Sequence, residues 1–474
     1  MTFDSDLLKR LRLGLSDDRQ HLVIRSAAGR AEVAEYSFGI EEEYFLADKR
    51  TLEVAVETPN ELFEAVNWAT GGQAMREMLQ AQLEVASNVH VDVGDAREEL
   101  YFLRREVARV ADQYGFAIMA CGTHPTAIWR MSQPSPKPRY EEMIEDLRSI
   151  GHRNMMCGMH VHVQLPDAEK RFAVMRAMIP YLPLFIALSA SSPFWNSHKT
   201  GLKGYRLAAY SELPRTGLPE LFETKHDYED YVDALKKSGV IPNESYIWWA
   251  MRPSMRHPTL ELRAPDTCTF VDDAVAIASL YRALARHLYL RPQRSQQVTS
   301  VDRAIAVENK WRAQRYGTDC IFASKDGPVT ISELLARTID DVAGDAAALN
   351  CAAEVEHCRT IVERGSSAEF QLRAYRENAE DIGRSRAGSQ PRRSRARALR
   401  SEAFVRRHSA RASLANDNVA PEFGDRGGTR ESRHVLRWLR PRTCTAAFGQ
   451  GPRGAQLPLV RAHRGACSGH GEVG

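Results

Sequence analysis

The sequence lacks the marks of several protein classes. Its eight cysteines include no C-x-x-C pair, so neither a zinc knuckle nor a disulfide framework is indicated. The longest strongly apolar stretch, residues 179–190, is interrupted by Pro180 and Pro183 and is shorter than the roughly 20 residues of a membrane span. The N-terminus mixes acidic and basic residues and has no uncharged segment of the kind a secretory signal needs. These absences predict a cytoplasmic protein without a membrane partner.

The 474 residues divide into two regions of opposite net charge. Residues 384–474 contain 19 Arg, no Lys and 6 acidic residues, a net charge of +13, whereas residues 1–383 carry a net charge of −10. A tail of this Arg-rich composition has too few apolar residues to bury a core. We therefore predict an N-terminal appendage (1–35), a folded domain (36–382) and an Arg-rich, disordered or atypical tail (383–474).

The tail also bears on possible partners. Arginines can neutralise the phosphates of nucleic acid, but no aromatic platform or basic helix accompanies them here. A disordered extension, or the product of a shifted reading frame, explains the tail better. Nucleic acid is therefore not an expected partner, and a nucleic-acid-binding tail is kept as an alternative.

Helical periodicity is clearest in the segment that ends at Gly115. Asp95 and Glu98 predict a capping box at its start, and apolar residues then recur at helical spacing. An apolar strand is predicted at 116–121. Further helices are predicted at 168–178, 227–237, 271–289, 331–342 and 354–378.

Four other segments alternate with the period of a strand, in which side chains i and i+2 share a face. They are 37–46, 82–91, 158–165 and 259–264. One face of each is apolar. The other faces carry, in chain order, Glu41, Glu43, Glu84, Asn88, His90, His160, His162, Gln164, Thr259, Glu261 and Arg263.

The polar faces of these strands contain no lysine. A half-solvated sheet is the simplest explanation for any one of them. Taken together, carboxylates, imidazoles and one guanidinium suit divalent cations that hold a phosphate, because carboxylates bind Mg²⁺ or Mn²⁺ and arginine grips a phosphoryl group. The pattern predicts ATP-dependent chemistry. No G-x-x-x-x-G-K-[ST] motif occurs, so the nucleotide site is not a P-loop.

A second enzyme class stays open on the same residues. His160 and His162 alone are similar to the pair that metal-dependent amidohydrolases place at the end of a barrel strand. That class needs further His and Asp ligands and a repeating βα pattern, which the sequence does not show. A metal-dependent amidohydrolase is therefore the second hypothesis.

Six short motifs stand in a characteristic order. They are Ser37–Tyr44 (SFGIEEEY), Gly122–Pro125 (GTHP), Gly158–Val163 (GMHVHV), Leu188–Pro193 (LSASSP), Arg252–Ser254 (RPS) and Leu260–Arg263 (LELR). In this order they resemble the bacterial carboxylate–amine ligases, also called glutamate–cysteine ligase type 2. Tyr205–Arg206 and Arg215–Pro219 are similar to the family's substrate loop, and Glu308–Gly317 is similar to its later helix. The resemblance covers about residues 36–382.

This resemblance implies a fold and a reaction. The fold is α+β and glutamine synthetase-like, a curved, mostly antiparallel sheet that forms a funnel and is backed by helices. The reaction is ATP-dependent joining of a carboxylate and an amine through an acyl phosphate, giving ADP and phosphate, with weak glutamate–cysteine ligase activity. The implied partners are small molecules: ATP, an amino-acid carboxylate and an amine. A non-catalytic ligase fold and a homo-oligomer both stay open.

The resemblance also assigns roles to the polar residues. Arg263 would stabilise the transferred phosphoryl group and, with Arg252, forms the predicted catalytic pair. Arg206 and His162 are predicted to bind substrate. The predicted ligands of two or more Mg²⁺ or Mn²⁺ ions are Glu41, Glu43, Glu84, His160 and Glu261.

Some residues near these motifs are predicted to be structural. Glu42 points away from its neighbours on a strand, so we expect it to be paired or solvated. His90 and His124 are expected to be hydrogen-bonded rather than ligands. Trp248 and Trp249 are expected in the core, although either could stack on a base.

Overall fold

The computed structural model describes residues 35–378 and residue 382. Apart from residue 35, the predicted appendage (1–35) lies outside the described residues, as does the predicted tail (383–474). The boundaries given to these two regions therefore stay predictions.

Seven strands form one sheet in which all paired strands are antiparallel. The strands of the described chain are β1 (Phe38–Asp48), β2 (Ala74–Arg76), β3 (Gln82–Ala86), β4 (Phe116–Met119), β5 (Met159–Gln164), β6 (Phe194–Trp195), β7 (His198–Lys199), β8 (Met251–Pro253), β9 (Thr259–Leu262), β10 (Ile321–Ser324) and β11 (Gly327–Thr330). The sheet order is β2-β3-β1-β5-β9-β8, with β4 also on β1. β6 pairs with β7, and β10 with β11, as two small hairpins.

Helices surround this sheet. They are α1 (Asn60–Ala69), α2 (Val93–Gln113), α3 (Pro138–Leu147), α4 (Ser149–His152), α5 (Ala168–Met178), α6 (Leu182–Ser189), α7 (Tyr205–Tyr210), α8 (Lys225–Lys237), α9 (Val271–Tyr289), α10 (Gln293–Gln296), α11 (Ser300–Tyr316), α12 (Ile331–Ala348), α13 (Ala352–Arg364) and α14 (Ser367–Glu377). The helix predicted at 354–378 is divided in two. Gly365 has a φ of +90°, a conformation that favours glycine and stops α13.

The predicted capping box of α2 is wrong. The helix begins earlier, because the Asp92 side chain accepts hydrogen bonds from the backbone N–H of Gly94 (2.7 Å) and Asp95 (3.1 Å). Asp92 therefore satisfies the amide groups that a helix N-terminus leaves unpaired. Asp95 lies in the first turn, where its charge favours the helix dipole.

Apolar side chains on one face of the sheet pack against helices. Ile40, Val161 and Leu262 come from three neighbouring strands and join buried residues of α6 and α9 in the largest core cluster. The predicted α+β class with a mainly antiparallel sheet is confirmed. The amidohydrolase hypothesis is wrong, since its barrel is built from parallel strands.

One helical segment has the length and hydropathy of a membrane span. It is Ala168–Ser189, with 22 residues and a mean hydropathy of 1.6. It consists of α5, α6 and the short turn between them, and 78% of its apolar window is buried inside the protein. Such burial is typical of a core helix, so the segment is weak evidence for a span.

The strand predicted at 82–91 ends at Ala86. Beyond it, the carboxylate of Glu99 on α2 accepts hydrogen bonds from the Asn88 backbone N–H (2.8 Å) and contacts Nε2 of His90 (2.5 Å). These contacts draw the chain towards α2, and Val89 and Val91 become 49% and 42% exposed instead of facing the core. The structure thus gives His90 the predicted hydrogen-bonded environment.

Glu42 is fully buried on the face of β1 opposite to Glu41 and Glu43. Its carboxylate accepts hydrogen bonds from Nε (2.8 Å) and Nη2 (2.5 Å) of Arg104 on α2. Arg104 also donates to the backbone carbonyls of Thr269 (2.9 Å) and Cys268 (2.8 Å). This buried pair joins the central strand to a helix and to the loop after β9, as predicted for a structural Glu42.

We expect Arg104→Ala to lower the free energy of unfolding by about 3–5 kcal/mol, because it leaves the buried Glu42 charge without its partner. Chemical denaturation followed by circular dichroism would measure the change. Arg109→Ala is the matched control on the same helix, since Arg109 makes an exposed ion pair with Glu106, a kind worth at most about 1 kcal/mol. Equal losses in the two variants would contradict the structural role of the Glu42–Arg104 pair.

The six cysteines in the described part of the chain are all buried; they are Cys121, Cys157, Cys268, Cys320, Cys351 and Cys358. Burial raises the pKa of Cys351 to about 11 and that of Cys320 to about 12. The thiols of Cys351 and Cys320 are therefore protonated and unreactive at neutral pH.

Candidate active site

The pairing of the strands places the predicted polar residues side by side across the sheet. Glu43 on β1 lies opposite Glu84 on β3, and Glu41 on β1 lies opposite His160 on β5. Further along, Glu261 on β9 lies between His162 on β5 and Arg252 on β8. Antiparallel pairing keeps opposite residues on one face, so five strands contribute to a single site.

The first group of ligand-type residues lies on β1, β5 and β9. His160 Nδ1 is 3.2 Å from Glu41 Oε2 and 3.9 Å from Glu261 Oε1. One ligand atom from each of these three residues lies within 4.8 Å of the others. His162 joins the group, with Nε2 3.3 Å from Glu41 Oε1 and Nδ1 3.1 Å from Thr259 Oγ1.

Two arginines hold Glu261. Nε of Arg252 donates to Glu261 Oε2 at 2.8 Å, and Nη1 of Arg263 donates to Oε1. Arg252 is fixed further by bonds from its Nη1 to the backbone carbonyls of Ser245 and Ile247, both 3.1 Å. The two predicted catalytic arginines therefore sit beside the first group.

A second group consists of Glu43, Glu77 and Glu84, whose nearest ligand atoms also lie within 4.8 Å of one another. Glu43 Oε2 accepts a hydrogen bond from the Gly158 backbone N–H at 2.6 Å. In the described part of the chain, no Lys or Arg nitrogen lies within 4.0 Å of these three carboxylates. The group is therefore short of positive charge.

Electrostatics separate the two groups. Burial, together with the Glu43 charge, raises the pKa of Glu77 to about 7, and burial with the Glu41 and Glu77 charges raises that of Glu84 well above its usual value. Burial acts in the same direction on Glu41, but the charges of His162 and His160 and their hydrogen bonds outweigh it and hold the pKa of Glu41 well below its usual value.

The residues present fit a divalent cation. Burial and the Arg263 charge lower the pKa of His160 to about 4, so its imidazole is neutral at pH 7 and offers a lone pair. His160 Nε2 is buried and has no hydrogen-bond partner within the described residues. Hard carboxylate oxygens with a neutral imidazole are ligands that Mg²⁺ and Mn²⁺ accept.

Arg206, the second residue of α7, is buried, with 4% of its surface exposed. Its Nη1 donates to the Pro265 carbonyl at 3.1 Å and lies 4.0 Å from Asp266. Gly158 leaves the space for it, since a Cβ on Gly158 would lie 2.0 Å from Arg206 Nη2. The glycine of the GMHVHV motif thus lets a charged group approach the backbone.

We expect Gly158→Ala to displace Arg206 and to cost about 1–3 kcal/mol of stability, the usual range for overpacking. Activity should also fall, because making room for the methyl group moves Arg206 and the residue-158 backbone N–H that donates to Glu43. Thermal unfolding and ADP release on the same samples would measure both effects. The control is Gly344→Ala on α12, where an added Cβ meets nothing within 4 Å and helix propensity favours alanine by about 1 kcal/mol. A Gly158→Ala protein with normal stability and rate would contradict this packing.

Three residues near the site were missed by sequence reasoning. Glu77 follows the three-residue strand β2, which is too short to show alternation. The strand register brings it to the site, because Met75 lies opposite Glu84 and shares a face with position 77. Tyr210 lines the same cavity as Arg263. Burial and the charges of Glu77 and Glu84 raise the pKa of Tyr140, which places this residue of α3 near the second group.

The fold and the site together define a ligase. The model of glutamate–cysteine ligase family 2 matches residues 37–388, and the chain belongs to this family. Its residue-by-residue similarity to curated relatives is high. It is 81% identical over 414 residues to a Bradyrhizobium diazoefficiens protein provisionally named glutamate–cysteine ligase 2, covering 87% of this chain and 97% of that relative.

A more distant curated relative also matches the chain, and two solved structures share its fold. A Rhodospirillum rubrum protein of the same provisional name is 41% identical, over 72% of this chain and 90% of that relative. The fold is similar to that of a glutamate–cysteine ligase from Francisella tularensis in complex with AMP (TM-score 0.53, 14% identity, 81% of this chain and 96% of the other). It is also similar to a bifunctional glutathione synthetase from Pasteurella multocida (TM-score 0.58, 13% identity, 75% and 52%).

Proposed function

We propose that this protein is an ATP-dependent carboxylate–amine ligase that joins glutamate to cysteine through an acyl phosphate, with ADP and phosphate as products. The observation that supports this most is the convergence of two acidic groups and the Arg252–Arg263 pair on one sheet face. Phosphoryl transfer depends on charge neutralisation and alignment rather than on a protein nucleophile. This arrangement offers both.

The acidic groups would hold the divalent cations. Glu41, His160 and Glu261 form one candidate site, and Glu43 and Glu84, with Glu77, form the other. When bound, Mg²⁺ or Mn²⁺ would neutralise phosphate oxygens of ATP. A cation would also relieve the repulsion among the second group of carboxylates.

The arginines would act on the transferred group. The substrate carboxylate attacks the γ-phosphorus of ATP, ADP leaves, and the amine then displaces phosphate from the acyl phosphate. Arg263 has a buried Nε with no hydrogen-bond partner in the described chain, so it can donate to a phosphoryl oxygen. His162, held by Thr259 and Glu41, would orient a phosphate or the substrate.

The decisive experiment measures ADP release with ATP, Mg²⁺ or Mn²⁺, glutamate and cysteine, omitting each component in turn. We expect release that needs all of them, with γ-glutamylcysteine as the product by mass spectrometry. Transfer of ¹⁸O from labelled glutamate to phosphate would support the acyl phosphate. Release without the acid or the amine would indicate an ATPase, and no release with any acid and amine would support the non-catalytic alternative.

A further inference from the structure

A proline-rich segment lies beside Glu77 of the second acidic group. In residues 133–140 (QPSPKPRY), prolines occupy positions 134, 136 and 138. Each proline fixes its own φ and favours an extended conformation in the residue before it. Lys137, which precedes the last of the three, is extended, with φ −131° and ψ 129°. The proline-rich segment, as we call residues 133–140, is therefore stiff through its own sequence.

This segment runs along the part of the chain that carries Glu77. Glu77 lies between β2 and β3, outside both strands, so strand pairing does not define its position. Ser135 donates its backbone N–H to the Met78 carbonyl at 2.8 Å and its Oγ–H to the Glu77 carbonyl at 2.5 Å. Ser135 is fully buried, so water does not readily replace it as the donor.

Further bonds hold the chain on both sides of this carboxylate. Lys137 Nζ and the Tyr140 hydroxyl both donate to the Arg76 carbonyl at the end of β2, at 3.1 and 3.4 Å. Towards β3, the Gln80 backbone N–H donates to the Gln133 carbonyl at 2.9 Å. The proline-rich segment thus replaces the strand partner that the connection between β2 and β3 lacks.

The segment is also anchored near the opposite edge of the sheet. Arg139 Nη2 donates to Ser245 Oγ at 3.0 Å, and the Arg139 guanidinium lies 5.5 Å from the centre of the Tyr246 ring. Ser245 and Tyr246 precede β8, and β2 and β8 are the two ends of the sheet order. Tyr246 packs against Trp248, with ring centroids 5.8 Å apart, and Trp248 is buried, as predicted. With both anchors, the segment resists movement of Glu77 away from the site.

Glu77 needs such support more than the other members of its group. Glu43 and Glu84 lie opposite one another on the paired strands β1 and β3, whereas Glu77 lies in a connection. Repulsion among three carboxylates displaces the least constrained of them first. A ligand that is already in position binds a metal more tightly, because less ordering accompanies binding.

We propose that Ser135, within the proline-rich segment, is a positioning residue that holds Glu77 as a ligand of the second divalent cation. This inference rests on the proposed function, because it takes the second acidic group to bind a cation. Ser135 does not contact the cation; it acts through the backbone of Glu77.

The test measures Mn²⁺ binding to the metal-free protein by electron paramagnetic resonance. Ser135→Ala removes the side-chain donor. Ser132→Ala is the matched control, because the buried Ser132 Oγ also donates to a backbone carbonyl, that of His152 at 3.0 Å. We expect two bound ions in the wild type and in Ser132→Ala. In Ser135→Ala, one ion should bind about 10- to 100-fold more weakly, the range for residues that orient a metal ligand.

A double-mutant cycle separates positioning from general destabilisation. Glu77→Gln should weaken the same ion, and adding Ser135→Ala to it should weaken that ion little further, because Ser135 acts only through this carboxylate. Tyr140→Phe removes the longer bond to the Arg76 carbonyl and should weaken the same ion by a smaller factor. This variant provides the measurement if Ser135→Ala does not fold.

Four results would overturn the proposal. They are fewer than two bound Mn²⁺ ions in the wild type, unchanged binding in Ser135→Ala, equal losses in Ser135→Ala and Ser132→Ala, and additive losses in the double variant. Thermal unfolding of the metal-free proteins shows whether each variant is folded. Binding is read without ATP, glutamate or cysteine, so the expected pattern in a protein that forms no γ-glutamylcysteine would refute the proposed function and leave this inference standing.

Discussion

Replacing single carboxylates of the two acidic groups should abolish turnover and leave the fold intact. Glu41→Gln and Glu84→Gln each replace a candidate carboxylate ligand by a neutral amide of similar shape, so they should weaken metal binding more than packing. A cation that stabilises the transition state by several kcal/mol corresponds to a rate effect of about 10³-fold. The measurements are ADP release and the rise in melting temperature that Mn²⁺ produces.

The stability of the metal-free variants makes this prediction specific. Without metal, Glu84→Gln should be as stable as the wild type or more stable, since burial and neighbouring charges already favour the neutral form of Glu84. Glu64→Gln, at an exposed position on α1, is the control and should behave like the wild type. If Mn²⁺ raises the melting temperature of Glu41→Gln and Glu84→Gln as much as that of the wild type, the ligand assignment is wrong.

Arg263→Lys should lower kcat by about 10²- to 10³-fold, the range for removing one preorganised donor at a developing charge. Lysine keeps the charge but loses the planar fork, which here contacts Glu261 with one nitrogen and leaves others for a phosphoryl group. The interaction is strongest as charge spreads in the transition state, so KM for ATP should change little.

Steady-state kinetics with varied ATP would measure this split between kcat and KM. Arg109→Lys, at an exposed position on α2, is the matched control and should leave both constants unchanged. An Arg263→Lys protein altered only in KM for ATP would show that Arg263 binds ground-state ATP and that another residue stabilises the transition state.

Much of the site was predictable because strands have a period of two. That period alone places Glu41 with Glu43, and His160 with His162, on polar faces. The register between strands was not predictable. Glu41 and His160 are opposite one another although 119 residues separate them, and such pairing depends on the packing of the whole core.

Other features could not be predicted because the signals in the local sequence are weak or compete with one another. Asp92 and Asp95 lie three residues apart and both resemble helix caps, and only the backbone bonds to Asp92 decide between them. Glu99 redirects the chain after Ala86 through contacts with Asn88 and His90. A tertiary contact of that kind overrides the alternation that the local sequence shows.

The buried cysteines have a consequence for a protein proposed to handle a thiol substrate. Only a thiolate attacks disulfides or alkylating reagents at an appreciable rate, and burial keeps Cys351 and Cys320 protonated. In the folded protein these two thiols are therefore unable to form a mixed disulfide with the substrate at an appreciable rate. The rate of alkylation by iodoacetamide would instead report how often the segments around these cysteines open. Cysteine labelling therefore measures the rate of local unfolding.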